Sequence, residues 1–322
     1  MILSYALRLI CLVLTVFAGL CAMLELILAR CAPSILRRLD SASPRRRERL
    51  LYRIQLAPAV VALVIAAAAC IPSYVRFEPT REAESVSGLC ALMAFAAALW
   101  IGCSLLRGLR TTVRTLRFTH SCRRSGQFKQ YCGATPVLAV AHPAWPIALL
   151  GFSRPLIIVS ADLLAPGRLE PAAFAVALDH ERSHALHRDN WKLLSLSFLP
   201  RVGLVFGDPW QPAWQAAADW AADDDAVRGD PNRSLLLAEA LVRAARAVRP
   251  ASARIVCTAL TSAEAGLAAR IDRLVHPHPA PHEPSAFLPG LTAALLLATV
   301  AALVASPWIY PLSESLLHLG RF

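Results

Sequence analysis

Ala177-Leu178-Asp179-His180-Glu181-Arg182-Ser183-His184-Ala185-Leu186-His187-Arg188-Asp189 is the run on which the reading of the chain turns. Pro171 precedes it as a natural first helical residue, and Phe174, Val176 and Leu178 lead into it as an apolar helix. On a helix of 3.6 residues per turn, positions i and i+4 share one face, so His180 and His184 can reach one metal ion. Glu181 then sits beside the ion, placed to take a proton from metal-bound water. Two histidines, one further protein ligand and a water describe a catalytic zinc, whose bound water has its pKa lowered to about 7.

The third ligand must be acidic or a histidine, and no glutamate occurs between Glu181 and Glu239. The helical segment Trp214 to Val227 carries Asp219-Trp-Ala-Ala-Asp223-Asp224-Asp225. Asp219 is the expected ligand, with Asp223 one turn later accepting the second N–H of a ligand histidine; Asp223 is the alternative third ligand. A bland reading also exists, in which the cluster is a solvated acidic patch at a helix end. His187 is expected at the surface or in support of the site, not on the metal.

Around this segment the chain is too apolar for an ordinary soluble enzyme. Of its 322 residues 56% are hydrophobic and 17% charged, with mean hydropathy +0.49, whereas soluble domains are about one-quarter charged. A bilayer core about 30 Å thick takes about 20 apolar residues as helix. Four runs meet that length: Ile2 to Ala29, Ile54 to Val75, Gly88 to Leu106 and Ala286 to Tyr310. The first is too long for a cleaved signal and lacks a small-x-small site before Arg30. The expected fold is a polytopic α-helical membrane protein of four spans with an α+β domain between the third and fourth.

The net charge of +11 has a pattern. The loop 30–53 carries +6 and residues 107–129 carry +7, whereas 76–87 and the long stretch 130–285 each carry −1. Basic residues beside spans mark the cytoplasmic side. This puts the N-terminus outside, 30–53 inside as a basic cytoplasmic loop, 76–87 outside, the domain 134–285 in the cytoplasm and 311–322 as a short outside tail. Residues 107–133 read as a basic amphipathic juxtamembrane segment, with Arg107, Arg110, Arg114 and Arg117 on one face against anionic headgroups. Charge placed this way does not form the folded basic face that nucleic-acid binding needs, so the expected partner is the lipid bilayer and not nucleic acid.

The domain opens with three short strands, Pro136 to Ala141, Ile147 to Phe152 and Pro155 to Ser160, and the pair around Ile147 to Ser160 could offer an edge to an extended substrate. The apolar stretch Leu193 to Phe206 is too short to cross a membrane. His276-Pro-His278-Pro-Ala-Pro-His282 has a metal-binding composition, but its prolines make it a stiff linker to the last span. Glu25 is either paired with Arg30 or a functional intramembrane charge. The nine cysteines show no C-x-x-C pair and no disulfide spacing.

Taken in order, Gly151-Phe-Ser-Arg154-Pro155-Leu-Ile-Ile-Val, then Leu178-Asp-His180-Glu181-Arg-Ser-His184 with Asp189, then Asp219-x-x-x-Asp223-Asp-Asp-Ala-Val, and finally Ala269-Arg270-Ile271-Asp-Arg273-Leu274 resemble one family. It is the integral-membrane zinc metallopeptidases typified by the beta-lactam sensor and methicillin-resistance antirepressor proteins. The similarity covers about Ala134 to Val275. It implies a gluzincin-type domain on the cytoplasmic face of a bacterial inner membrane. In that domain His180, His184 and an acidic residue hold zinc, Glu181 is the general base, and Asp189 and Asp223 support the ligands. The partner it implies is a cytoplasmic transcriptional repressor, cleaved or inactivated when a signal arrives.

Two departures stand out. The family's third ligand is usually glutamate, and Asp219 is a methylene shorter, so its helix must approach more closely. No Ser-x-x-Lys penicillin-binding domain follows the fourth span, so direct beta-lactam binding in this chain is not expected. Two other readings share the residues: a housekeeping membrane protease that trims prenylated or misfolded clients, and a non-catalytic sensor or scaffold that keeps zinc only structurally. Glu181 argues against the last, since a structural site needs no base. Near-exclusive use of arginine, with Lys129 and Lys192 the only lysines, fits a GC-rich bacterial genome.

Overall fold

A computed structural model describes residues 5–77, 87–141, 145–202, 207–247, 257–259 and 264–276. Its first half is three long helical rods. Helix α1 (Tyr5–Leu39) is followed by α2 (Pro44–Ile65), which passes through a π-helical turn (Ala66–Cys70) into α3 (Ile71–Phe77), and then by α4 (Gly88–Ser125). Three helical stretches, Tyr5–Leu39, Pro44–Arg76 and Gly88–Ser125, are long and apolar enough to cross a membrane. Leu26, Leu63, Leu92, Phe95 and Leu99 stand exposed on them, as side chains meant for lipid would. The fourth expected span, the outside tail, the linker histidines His278 and His282, and most of the 76–87 loop lie outside the described residues.

Residues 30–53 are not a loop. The helix of the first span continues to Leu39, a four-residue turn intervenes, and Pro44 opens the next helix at its first turn. Arginine, leucine and glutamate are good helix formers, so a basic count that suggests a loop is equally a solvated helix face. Much of the buried face is apolar: Ala32, Leu39, Leu50, Leu51 and Ile54 form one core with Trp210, Trp214, Ala217 and Ala218 of the domain.

Helix α4 also outruns the bilayer. At 1.5 Å per residue its 38 residues span about 57 Å, nearly twice the hydrocarbon thickness. Its C-terminal end is a wall of the domain. Arg107 donates to the carbonyls of Ser197 and Leu199 at 3.1 and 2.6 Å, and Gly108 lies against Phe198 so closely that a Cβ would fall 2.4 Å from the ring.

The juxtamembrane reading of 107–133 fails at its end. Beyond Ser125 the chain turns into strand β1 (Gln127–Cys132), paired antiparallel with β2 (Thr135–Val140) across a turn where Gly133 adopts φ 61°. Two further strands, β3 (Ile147–Leu150) and β4 (Leu156–Ser160), and a short β5 (Cys257–Ala259) complete a sheet of order β1-β2-β4-β3-β5. Only the β2–β4 pair is parallel.

Strands β3 and β4 read as unbroken apolar runs because both faces are covered. Ile147, Leu149, Ile157 and Val159 point to one side, into a core with Val176, Leu178, Leu237 and Leu241. Ala148, Leu150, Leu156 and Ile158 point to the other, against Cys122 and Phe118 of α4. Each large side chain buried here contributes about 1.5–3 kcal/mol. The outer edge of β3, expected to be open to an extended substrate, is paired with β5 from Ala148↔Ala259 to Leu150↔Cys257.

Five more helices finish the described domain: α5 (Pro171–Leu186), α6 (Asp189–Phe198), α7 (Trp210–Val227), α8 (Pro231–Ala247) and α9 (Glu264–Val275).

Candidate metal centre

His180, Glu181 and His184 lie on the inward face of α5, all fully buried. The helix ends abruptly: His187 leaves helical geometry and Arg188 takes the left-handed conformation at φ 55°, which few non-glycine residues adopt. This break folds α6 back so that Asp189, five residues after His184, faces it. Asn190 secures the bend by donating to the carbonyls of Leu149 and Gly151 at 3.0 and 2.8 Å.

The two imidazoles meet edge to face, with Nε2 atoms 3.2 Å apart. Asp219 of α7 closes the group, its Oδ1 3.6 Å from His184 Nε2. One ligand atom from each of His180, His184 and Asp219 can be chosen so that all lie within 4.8 Å of one another, and all three residues are buried. Ala217, Ala218, Ala221 and Ala222 surround Asp219 on α7 and are themselves buried. Such small side chains let the helix come close, which offsets the short reach of aspartate.

Each histidine's other nitrogen faces a carboxylate. His184 Nδ1 bonds Asp189 Oδ2 at 2.7 Å, and His180 Nδ1 lies 2.9 Å from Asp223 Oδ1. With Nδ1 committed outward, the Nε2 lone pairs converge on a common point. Two imidazole nitrogens and a carboxylate oxygen, dry and convergent, suit a borderline divalent ion, so the residues present fit a metal. Asp223 is 1% exposed, which excludes a solvated acidic patch at that position. His187 stands apart, 3.3 Å from the half-exposed Asp225.

The supports continue outward. Asp223 is gripped by Arg270 of α9 through two bonds, Nε to Oδ2 at 2.9 Å and Nη2 to Oδ1 at 2.6 Å, and Arg270 Nη1 lies 3.7 Å from Asp219. Asp189 Oδ1 accepts from Lys192 at 2.7 Å, and Lys192 in turn donates to Glu48 of α2 at 2.8 Å. Arg45, one turn before Glu48, donates to Ser183 and Asp225 at 3.0 and 2.6 Å. The sequence reading gave no role to Arg270, Lys192, Glu48 or Asn190. Only Arg270 left a trace, as part of a segment noted for its likeness to a family.

Electrostatics divides the group. Burial pushes the Glu181 carboxyl up to about 7, against the opposing pull of His184. Neither of its oxygens has a hydrogen-bond partner of good geometry, although the backbone at Leu149 lies near enough to favour the anion. Burial depresses His180 in spite of Asp223. Burial would depress His184 as well, but the hydrogen bond and charge of Asp189 carry it above its ordinary value. Asp189 falls to about 2 against its own burial, held by His184 and Lys192, and Arg270 with His180 keeps Asp223 well below the usual carboxylate range.

Compared with known proteins, the chain matches no protein-family model and no curated sequence.

Proposed function

We infer that the chain is a membrane-anchored zinc-dependent endopeptidase. The observation that carries this reading is the convergence of His180, His184 and Asp219 beside a buried carboxyl, Glu181, that spends no hydrogen bond of good geometry on the fold. A carboxyl buried at that cost, beside two histidines that face carboxylates, is placed for chemistry. Bound there, zinc would act as a Lewis acid toward water and the scissile carbonyl.

The residues divide the remaining work. His180 and His184 present Nε2, and Asp223 and Asp189 keep their imidazoles in the right tautomer. Glu181, buried beside the histidines, would take the proton of the attacking water and return it to the leaving amine. Arg270 holds Asp223 and lies beside Asp219, fixing α7 against α5.

The basic residues beside the spans support a site on the cytoplasmic side, with the N-terminus outside and a fourth span following the domain, and the resemblance in the motif order supports a bacterial inner membrane. The substrate is a cytoplasmic protein, and the resemblance in the motif order points to a transcriptional repressor, which makes the chain a signalling protease.

The test is metal content together with cleavage of a labelled unfolded protein by detergent-purified wild type, Glu181→Ala and Asp219→Ala. The expected result is about one zinc per chain, kept in Glu181→Ala without cleavage and weakened in Asp219→Ala. Zinc retained by every form with cleavage by none moves the reading to a structural zinc scaffold, and cleavage by Glu181→Ala overturns the mechanism.

A further inference from the structure

Glu48 lies on the cytoplasmic stretch of a membrane-crossing helix, in a sequence of arginines, and yet its side chain is fully buried. A lone buried carboxylate at a helix–domain seam is costly, and an apolar residue would pack there against Leu51 and Trp214 without that penalty. What Glu48 does with its charge is specific. Oε1 accepts from Lys192 at 2.8 Å and from the indole N–H of Trp214 at 3.1 Å. Lys192 belongs to α6 and its other carboxylate is Asp189, which holds His184 Nδ1. Trp214 belongs to α7, five residues before Asp219. One carboxylate on the membrane hairpin thus grips α7, which carries Asp219, and α6, whose Asp189 holds His184.

We propose that Glu48 is a positioning residue through which the membrane hairpin sets the metal affinity of the His180–His184–Asp219 site. The proposal rests on the reading of that cluster as a metal site. Sharing the Lys192 ammonium with Glu48 leaves Asp189 more of its own charge for the His184 N–H, which makes His184 a stronger donor. Removing the Glu48 charge concentrates Lys192 on Asp189 and weakens that bond. It also releases Trp214, and α7 with it, from α2. A shift of α2 along its axis by about a hydrogen bond's tolerance, near 1 Å, would do the same. Displacement of the hairpin is therefore transmitted to the metal site through a contiguous chain of short polar contacts.

The experiment uses the full chain in detergent, with zinc affinity measured by competition with a chromogenic chelator. Visible absorption of the cobalt(II)-substituted protein reports ligand geometry. Glu48→Gln is expected to lower zinc affinity about tenfold and to shift the cobalt band, with size-exclusion profile and thermal midpoint close to wild type. Lys192→Met leaves the Asp189 charge wholly to the His184 N–H and is expected to raise zinc affinity, and the double variant, with no ammonium left to concentrate on Asp189, to recover most of the Glu48→Gln loss. Glu239→Gln, on the exposed face of α8, leaves both readouts unchanged. If Glu48→Gln fails to fold, Lys192→Met carries the test, because its side chain is partly exposed. Wild-type zinc binding and cobalt spectrum unmoved by either variant overturns this inference alone. A double variant that keeps the full Glu48→Gln loss overturns it too, whereas a wild type that takes up no metal overturns the proposed function as well.

Discussion

The two histidines of the site are held by the same chemistry from opposite sides of the molecule, and the supports behind them differ. His180 leans on Asp223, which is locked in a bidentate pair with Arg270 from the domain's own last described helix. His184 leans on Asp189, whose partner Lys192 is shared with Glu48 from the membrane hairpin. The first arm is closed within the domain and rigid: a planar guanidinium with two fixed bonds. The second is a flexible lysine between two carboxylates, one of which belongs to a different structural unit. A site built this way has one fixed histidine and one adjustable one, and the adjustable arm is the one tied to α2.

The sharpest way to break the comparison is to remove each carboxylate in turn. Asp223→Ala takes from the buried Arg270 the carboxylate that it holds through two hydrogen bonds. It should cost about 3–5 kcal/mol, seen as a large drop in thermal midpoint or loss of folded protein. Asp189→Ala leaves Lys192 still paired with Glu48, so the fold should survive while zinc affinity falls about 10–100-fold. Equal thermal midpoints for the two variants would show that the arms are equivalent after all.

Between the arms sits Glu181, which belongs to neither, and its behaviour separates burial from pairing. Its carboxyl is raised from 4.5 to about 7 by burial. In chelated protein the native state therefore keeps a proton that the unfolded chain gives up above about pH 4.5. The contribution of Glu181 to stability should fall as pH rises from 4.5 to 7 and then level off. Glu181→Gln removes that loss, so its advantage over wild type should be absent near pH 4 and reach on the order of 3 kcal/mol by pH 8. Thermal midpoints across that range decide it, and a constant difference at all pH values would refute the assigned cause.

How much of this was legible before the fold depended on sequence distance. His180, Glu181 and His184 stand within one helical turn and Asp219 and Asp223 within another, so a period of 3.6 residues places each set on one face without knowledge of the fold. Strands β2 to β4 announced themselves as apolar runs between prolines and glycines. By contrast Asp223 and Arg270 are 47 residues apart and Glu48 and Lys192 are 144 apart. No periodicity connects such pairs, and each residue alone reads as ordinary surface charge. Strand β1 was hidden because its pairing, not its composition, makes it a strand: Gln127, Lys129 and Gln130 suit a sheet edge but are also what a basic tail contains. The basic segment 30–53 misled for the same reason, since charge density reports solvent contact on one face and says nothing of the apolar face beneath.

The smallest effect concerns the turn of α2 that contains both Arg45 and Glu48. Arg45 reaches the same region as Glu48, touching Ser183 of the histidine helix and Asp225 of α7. By these two bonds it is an equal candidate for linking hairpin to site. Exposure separates the two: the Arg45–Asp225 pair is 21% and 44% exposed on its two sides, whereas the Glu48 side chain is fully buried. Water and salt screen the first pair and not the second. Arg45→Ala should therefore change zinc affinity by less than about fivefold, with an effect that fades as salt is raised. The Glu48→Gln loss should persist at high salt. If the ranking reverses, the exposed clasp on Ser183 carries the coupling, and the adjustable arm of the site runs through the helix of the histidines and not through Asp189.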